Sequence, residues 1–262
     1  MNLSNQPLEM GQGMFVSSAT QLHPLGIRGT DDMGRWYRYC RAGASDLVAG
    51  NVIQGPATVA GNLTLVVNTT SGGTSPGSTS ISVTCVSAVS TGFYREGLLI
   101  VASGSGQGTA YKINTHAAVS TGATGAFTLY FEDAIPVLTN MTISTSSTIS
   151  LVANPYMNVI QAPVTTLTGP VVGVATYVIT ATQYGWIQTW GPCGVLMNDT
   201  SAIGDNVVGV ASTAGRAEGW VAATSGATST FLGNLTRSPI IGFNMAAGVQ
   251  GEVRPVFLTI TP

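Results

Sequence analysis

Short runs of β-branched and aromatic residues, many alternating with polar residues, recur along the whole chain. A run with a two-residue period predicts a strand that has one buried and one exposed face. The predicted strands cover residues 63–67, 80–86, 97–101, 126–131, 148–152, 177–180, 184–190, 206–210 and 253–260. No stretch keeps a 3.6-residue apolar period, so no amphipathic helix is predicted.

The segments between these strands are rich in turn-forming residues, as in residues 70–77. Short strands separated by turn signals every ten or so residues are typical of antiparallel sandwiches and barrels, not of alternating strand–helix units. We therefore expect an all-β fold with antiparallel β-sandwich or barrel regions and an extended N-terminal arm.

Three parts are predicted along the chain. Residues 1–30 show little periodicity and several Gln, Gly and Pro residues, so we expect an extended arm that contacts a partner and is dispensable for the β fold. Residues 31–155 and 156–262 are expected to form a first and a second β region, with the break at Asn154-Pro155. The pattern leaves open whether these regions are separate or interleave into one barrel.

Charged residues make up 8% of the 262 residues, against about 25% in an average globular protein. The net charge is −2 and Lys112 is the single lysine, so a nucleic-acid partner is not expected. No window approaches the roughly 18 apolar residues of a membrane helix. Since 44% of the residues are hydrophobic and spread along the chain, disorder is excluded too. A neutral surface of Ser, Thr, Asn and Gly suits an assembly.

Few residues could support catalysis. His23 and His116 lie in no recognisable nucleophile or metal motif, and we expect both at the surface or in turns. The acid pairs Asp31-Asp32 and Glu132-Asp133 are adjacent, so on an extended chain their side chains point to opposite faces. We expect no enzyme, and neither a catalytic residue, a cofactor nor a metal site.

Two further motifs have ordinary structural interpretations. Gly104–Gly108 resembles a phosphate loop, but the strand pattern of residues 109–113 follows it, which favours a β-hairpin loop. The cysteines Cys40, Cys85 and Cys193 are odd in number and far apart. Because the first residues also lack the pattern of a secretory signal, we expect buried free thiols in a protein made in a reducing compartment.

The densest group of charges lies in residues 31–41, with Arg28 just upstream. Arginine combined with Trp and Tyr is enriched at protein–protein hot spots. The candidate contact residues are Arg28, Arg35, Trp36, Tyr37, Arg38 and Arg41. The alternative is an ordinary strand whose Trp36 packs in the core while the arginines face water. Further along, Trp186 and Trp190 are four residues apart, which predicts one shared, core-facing side of a strand.

Several segments together resemble the capsid decoration, or cement, proteins of tailed bacteriophages. They are residues 37–44, 47–50, 97–101, 106–113, 151–156 and 184–192. The resemblance implies a β-rich homotrimer on the outer surface of the virion head, made in the host cytoplasm. It also implies the major capsid protein as partner, with neighbouring capsid subunits bridged and the shell stabilised. It implies no catalytic residues and neither nucleic-acid nor membrane binding.

Two other functions remain open at this point. A tail-fibre or receptor-binding component of the same kind of virion would share the low charge and the β structure, although fibres usually contain repeats and none appears here. A carbohydrate-binding module or glycan-active enzyme would use an exposed Trp186 or Trp220 as a sugar platform.

Overall fold

The structure is a computed structural model, and the prediction of an all-β, antiparallel fold is confirmed. It describes residues 8–9, 12–63, 65–66, 75–85, 87–120, 126–132, 148–164, 166–209, 212–220 and 238–261. Within these ranges the chain forms seventeen strands and one short 3-10 helix, Ala60–Asn62.

The chain divides into two compact units: a larger unit of residues 1–56 and 155–262, and a smaller unit of residues 57–154. The strands of the larger unit are β1 (Leu8–Glu9), β2 (Arg28–Thr30), β3 (Trp36–Arg41), β4 (Val52–Gln54), β11 (Ile160–Gln161), β12 (Val171–Ala175), β13 (Tyr184–Leu196), β14 (Asn206–Val208), β15 (Glu218–Gly219), β16 (Ile240–Asn244) and β17 (Val253–Thr259). Those of the smaller unit are β5 (Leu65–Val66), β6 (Ser80–Thr84), β7 (Leu98–Ser103), β8 (Ala110–His116), β9 (Ala126–Phe131) and β10 (Thr148–Val152).

The larger unit is built around β13, its longest described strand. The sheet order is β1-β2-β3-β13-β17-β16-β14-β15, and β12 links β13 to β4 and β11. Among the described strands β1 and β2 form the one parallel pair. The first half of β13 pairs with β3 and the second half with β17, so this strand joins the two wings of the sheet.

The smaller unit is a six-stranded antiparallel sheet in the order β5-β10-β7-β8-β9-β6. The outermost strands β5 and β6 contact each other, so the sheet curls towards a barrel. Fifteen buried residues of the described part of this unit fill it, among them Tyr94, Tyr111 and Phe131. Residues 104–109 join β7 and β8 as the expected hairpin loop, with Gly104, Gly106 and Gly108 all at positive φ.

The division into units differs from the three parts expected from the sequence. Residues 28–54 supply β2, β3 and β4 to the unit that also contains residues 155–262, and the junction at 154/155 lies where the sequence break was placed. The extended-arm prediction needs correction for residues 12–30. Gln12 is buried, with its amide oxygen accepting from the Tyr39 hydroxyl at 3.0 Å, and Leu25 packs beside Trp186. Deleting residues 1–30 would remove β2 and these contacts, so it would not leave the fold intact.

Most predicted strands are present, but the boundaries of several differ. Residues 177–180 are not a strand, because Ile179 makes just an isolated bridge to Leu47. The pattern did not predict the short strands β4 and β12. Every residue of β4 is buried and β12 is buried over most of its length, so neither alternates in polarity. Thr64, Val67, Val86 and Val210, at the ends of predicted strands, lie outside the described residues.

Candidate functional site

The six candidate contact residues do not form one surface, because β3 alternates between two faces of the sheet. Tyr37 is 0% exposed and packs with Tyr39 and Trp186, whereas Trp36 and Arg38 lie on the opposite face. The prediction that Tyr37 is a contact residue is therefore wrong. Burial raises the pKa of its hydroxyl above the ordinary value.

Arg35 and Arg41 are held by contacts within the chain. The Arg35 Nε lies 2.7 Å from the Asp31 carboxylate, whose side chain is almost fully buried. Arg41 donates to the Asn158 side-chain oxygen and lies over the Tyr184 ring at 5.8 Å. Arg41 shares the face of Tyr39, so it stands on the side of β3 opposite to Trp36.

The other face carries a continuous row of aromatic rings, which we name the aromatic row: Trp36, Trp190, Phe257 and Phe243. Consecutive ring centroids are 6.2, 5.7 and 5.2 Å apart, and the row crosses β3, β13, β17 and β16. Trp36, Trp190 and Phe257 are half-buried and Phe243 is 41% exposed. At the β3 end, the Arg28 guanidinium lies 4.3 Å from the centre of the Trp36 ring.

A β-bulge in β13 places Trp190 in this row. Gln188 pairs with Tyr37 and Trp190 with Trp36, so Thr189 is an extra residue on β13. One extra residue reverses which face the following side chains occupy. Trp186 is therefore fully buried on one face and Trp190 half-buried on the other, and the prediction that they share a face is wrong.

Further exposed apolar residues surround the row. On β17, Arg254, Val256 and Leu258 point inwards, while the alternate residues Val253 and Pro255 are exposed. The exposed neighbours on the same face are Pro192, Gly194, Met245, Val253 and Pro255. The row thus lies within an apolar sheet face. Contiguous exposed apolar surface of this kind marks interaction sites.

The two histidines are not arranged for catalysis. His116 lies at the end of β8 and is 2% exposed, so the prediction of a position at the surface or in a turn is wrong. Its Nε2 accepts from the Tyr94 amide at 2.9 Å and its Nδ1 lies 2.8 Å from the Ala117 carbonyl. Burial lowers the pKa of His116, and the Ala117 contact opposes this in part. His23 packs against Tyr39 and Trp186. Among the described residues, no hydrogen bond joins either imidazole to a carboxylate, hydroxyl or thiol.

The carboxylates mainly serve the structure. Asp31 holds Arg35, Glu132 pairs with Lys112 at 3.1 Å, and Asp133 lies outside the described residues. A buried cluster not expected from the sequence surrounds Arg254, which is 2% exposed. This arginine donates to the backbone carbonyls of Asp199 and Ser201. Because the partners of Arg254 are far away in the sequence, no local motif predicts this cluster.

An open cavity of about 520 Å³ in the larger unit lacks a reactive set of side chains. Its polar lining includes Arg35, Gln188, Cys193 and Arg254. Both arginines contact carboxylates within the chain, and the Gln188 amide donates to the Pro192 carbonyl at 2.8 Å. Burial raises the pKa of Cys193 to about 12, so it is not a nucleophile at neutral pH.

The remaining candidates contribute little to a site. All three cysteines are free and buried, as expected. No group of three or more His, Cys, Asp or Glu in the described ranges could hold a metal ion. The expectation of an exposed Trp186 as a sugar platform is wrong, and Trp220 is 40% exposed. No helix in the described part of the chain is long and apolar enough to cross a membrane.

The aromatic row is thus the strongest candidate site, and sequence reasoning found part of it. Trp36 and Arg28 were among the candidates, whereas Phe257 and Phe243 were missed, because the polarity of residues 253–259 does not follow their burial. The chain matches no protein-family model, no curated protein and no solved structure.

Proposed function

We propose that the protein is a virion structural protein that acts by contact, namely a capsid decoration or cement protein on the outer surface of a phage head. The observation that carries this proposal is the aromatic row, a partly exposed apolar face of the sheet in the larger unit. Burial of Trp and Phe supplies most of the binding energy at protein interfaces, and Arg28 provides a polar boundary.

A further observation supports this proposal. Two segments of the sequence resemblance, residues 37–44 and 184–192, meet as the paired strands β3 and β13. The second segment contains Trp190, and Trp36 directly precedes the first. Part of the resemblance therefore lies at the aromatic row.

A homotrimer explains how a modest surface could hold firmly to a shell. Each copy would present one aromatic row, and a closed trimer would engage several capsid subunits at once. After the first contact, the others form at high effective concentration, so avidity exceeds the affinity of one row. Bridging neighbouring subunits in this way would stabilise the head.

Localisation on the particle tests this function against the tail-fibre alternative. Antibodies against the protein, viewed by electron microscopy on intact particles, should label the head surface. Light scattering during gel filtration should give three times the chain mass. Label confined to the tail would favour the fibre alternative, and a monomer absent from particles would contradict the proposal.

A further inference from the structure

The β3 end of the aromatic row adjoins β2. Arg28 on β2 lies directly opposite Arg38 on β3, so both side chains start from one face of the sheet. The Arg38 guanidinium donates to the Gly26 carbonyl at 3.0 Å. Arg28 forms no ion pair with any described residue, and the four ion pairs of the described chain involve other cations.

The orientation of the Arg28 side chain suits an anionic partner. Its guanidinium lies over the Trp36 ring at 4.3 Å, which restrains the side chain. A guanidinium stacked on a ring keeps its N–H donors at the edge, and their fork matches the two oxygens of a carboxylate.

The row beside Arg28 favours a protein surface over a base or a sugar. Phe243 and Phe257 stack on each other with their planes 9° apart, and Trp190 meets Phe257 edge-on. Because these ring faces pack against other rings, the ring edges and the neighbouring Pro, Met and Val side chains are the parts available to a partner. Such a surface suits apolar side chains. The net charge of −2 also provides no general attraction for a polyanion.

We propose that Arg28 and the aromatic row bind a surface of the capsid protein in which a carboxylate adjoins an apolar patch, the carboxylate facing Arg28. This inference rests on the proposed function and names the chemistry of the partner. Pairing across the interface would add specificity and salt dependence to the apolar contact.

Binding of purified variants to heads that lack the protein tests this. Arg28→Glu should weaken binding at least tenfold at 0.1 M NaCl, Arg28→Gln less, and Arg28→Lys least. The matched control is Arg41→Glu, which makes the same charge change on the other face of β3 and should stay within twofold of the parent. Raising NaCl to 0.5 M should weaken the parent more than Arg28→Gln. Thermal melts establish whether each variant is folded. If Arg28→Glu does not fold, Arg28→Gln provides the test.

The outcomes separate the two proposals. Parent-like binding by folded Arg28→Glu or Arg28→Gln would overturn the carboxylate and leave head binding intact. A parent protein that ignores heads would overturn both. Loss of the oligomer in Arg28→Glu would mean that the face joins copies of this chain. If the parent binds heparin and Arg28→Gln does not, the partner of Arg28 is an anionic polymer. Loss of the oligomer or binding to heparin would each overturn the proposal of a carboxylate on the capsid protein.

Discussion

Trp186 and Trp190 lie four residues apart on β13, yet their side chains occupy opposite faces of the sheet because Thr189 is an extra residue between them. Trp186 lies in a cluster with Tyr37 and Tyr39, whereas Trp190 joins Trp36 and Phe257 in the aromatic row. One bulge therefore supplies one tryptophan to the core and the other to the candidate contact surface.

Truncating these two tryptophans should have unequal effects on stability. Trp186→Ala removes a fully buried ring, so it should lower the free energy of unfolding by about 3–5 kcal/mol. Trp190→Ala removes a half-buried ring and should cost about 1–2 kcal/mol, because part of the ring already faces water. Urea denaturation of both variants measures the difference. Equal losses would contradict the assignment of the two faces.

Deleting Thr189 should leave Trp190 in the aromatic row. Gln188 and Trp190 would then be consecutive residues opposite Tyr37 and Trp36, so the pairing would become regular and the same side chains would face the core. Inserting one alanine after Thr189 should instead turn Trp190 towards the core side, so we expect the insertion variant to aggregate or to lack a cooperative unfolding transition. Urea denaturation compares the two variants. An insertion variant at least as stable as the deletion variant would refute the role of the bulge.

The stability of the protein should fall as the solution is acidified below the pKa of an unfolded histidine, about 6.5. The pKa of His116 is lower in the folded protein, so between these values the unfolded chain binds a proton that the folded chain does not. Above pH 6.5 this histidine therefore adds no pH dependence to the free energy of unfolding. Below pH 6.5 the free energy of unfolding falls by up to about 1.4 kcal/mol per pH unit.

Urea denaturation between pH 5.0 and 7.5 measures this dependence, and the range avoids most carboxylate titration. His116→Gln keeps an acceptor for the Tyr94 amide but cannot take up the proton, so its profile should be flatter over the same range. Parallel profiles for the two proteins would show that another group is responsible.

The three thiols should be inert in the folded protein. Cys40, Cys85 and Cys193 are buried, and burial raises the pKa of Cys40 as well as that of Cys193. The native protein should show almost no reaction with Ellman's reagent within minutes at pH 8, and three thiols should react in 6 M guanidinium. Rapid labelling of one thiol in the native protein would contradict its burial.

The sequence predicts the class of the fold but not its long-range connections. Alternation along residues 80–84 reports directly which side chains are buried, because one face of the strand meets the core. Residues 253–259 break this rule, since the charged Arg254 is buried and Val253 is exposed. The packing of residues 12–27 and the pairing of β3 with β13 depend on contacts more than a hundred residues apart in sequence, which local patterns do not encode. The bulge at Thr189 escapes the pattern because a two-residue period assumes regular pairing.

The candidate site is partly predictable for the same reason. The group of Arg and aromatic residues in 28–41 marks the right segment, and strand alternation divides it into an outward pair, Trp36 and Arg38, and an inward Tyr37. Phe243 and Phe257 join the row through antiparallel pairing of β16 with β17, directly opposite each other. No local feature of the segment 240–244 indicates this partner.

Co-sedimentation of the protein with heads that lack it tests whether the aromatic row binds the capsid. We compare the parent with Phe243→Ser, which alters the most exposed ring of the row, and with Val178→Ser, an exposed apolar control outside it. We expect the parent and Val178→Ser to pellet with the heads, and folded Phe243→Ser to bind at least tenfold more weakly. A parent protein that stays in the supernatant, or a Phe243→Ser variant that pellets like the parent, would contradict this expectation.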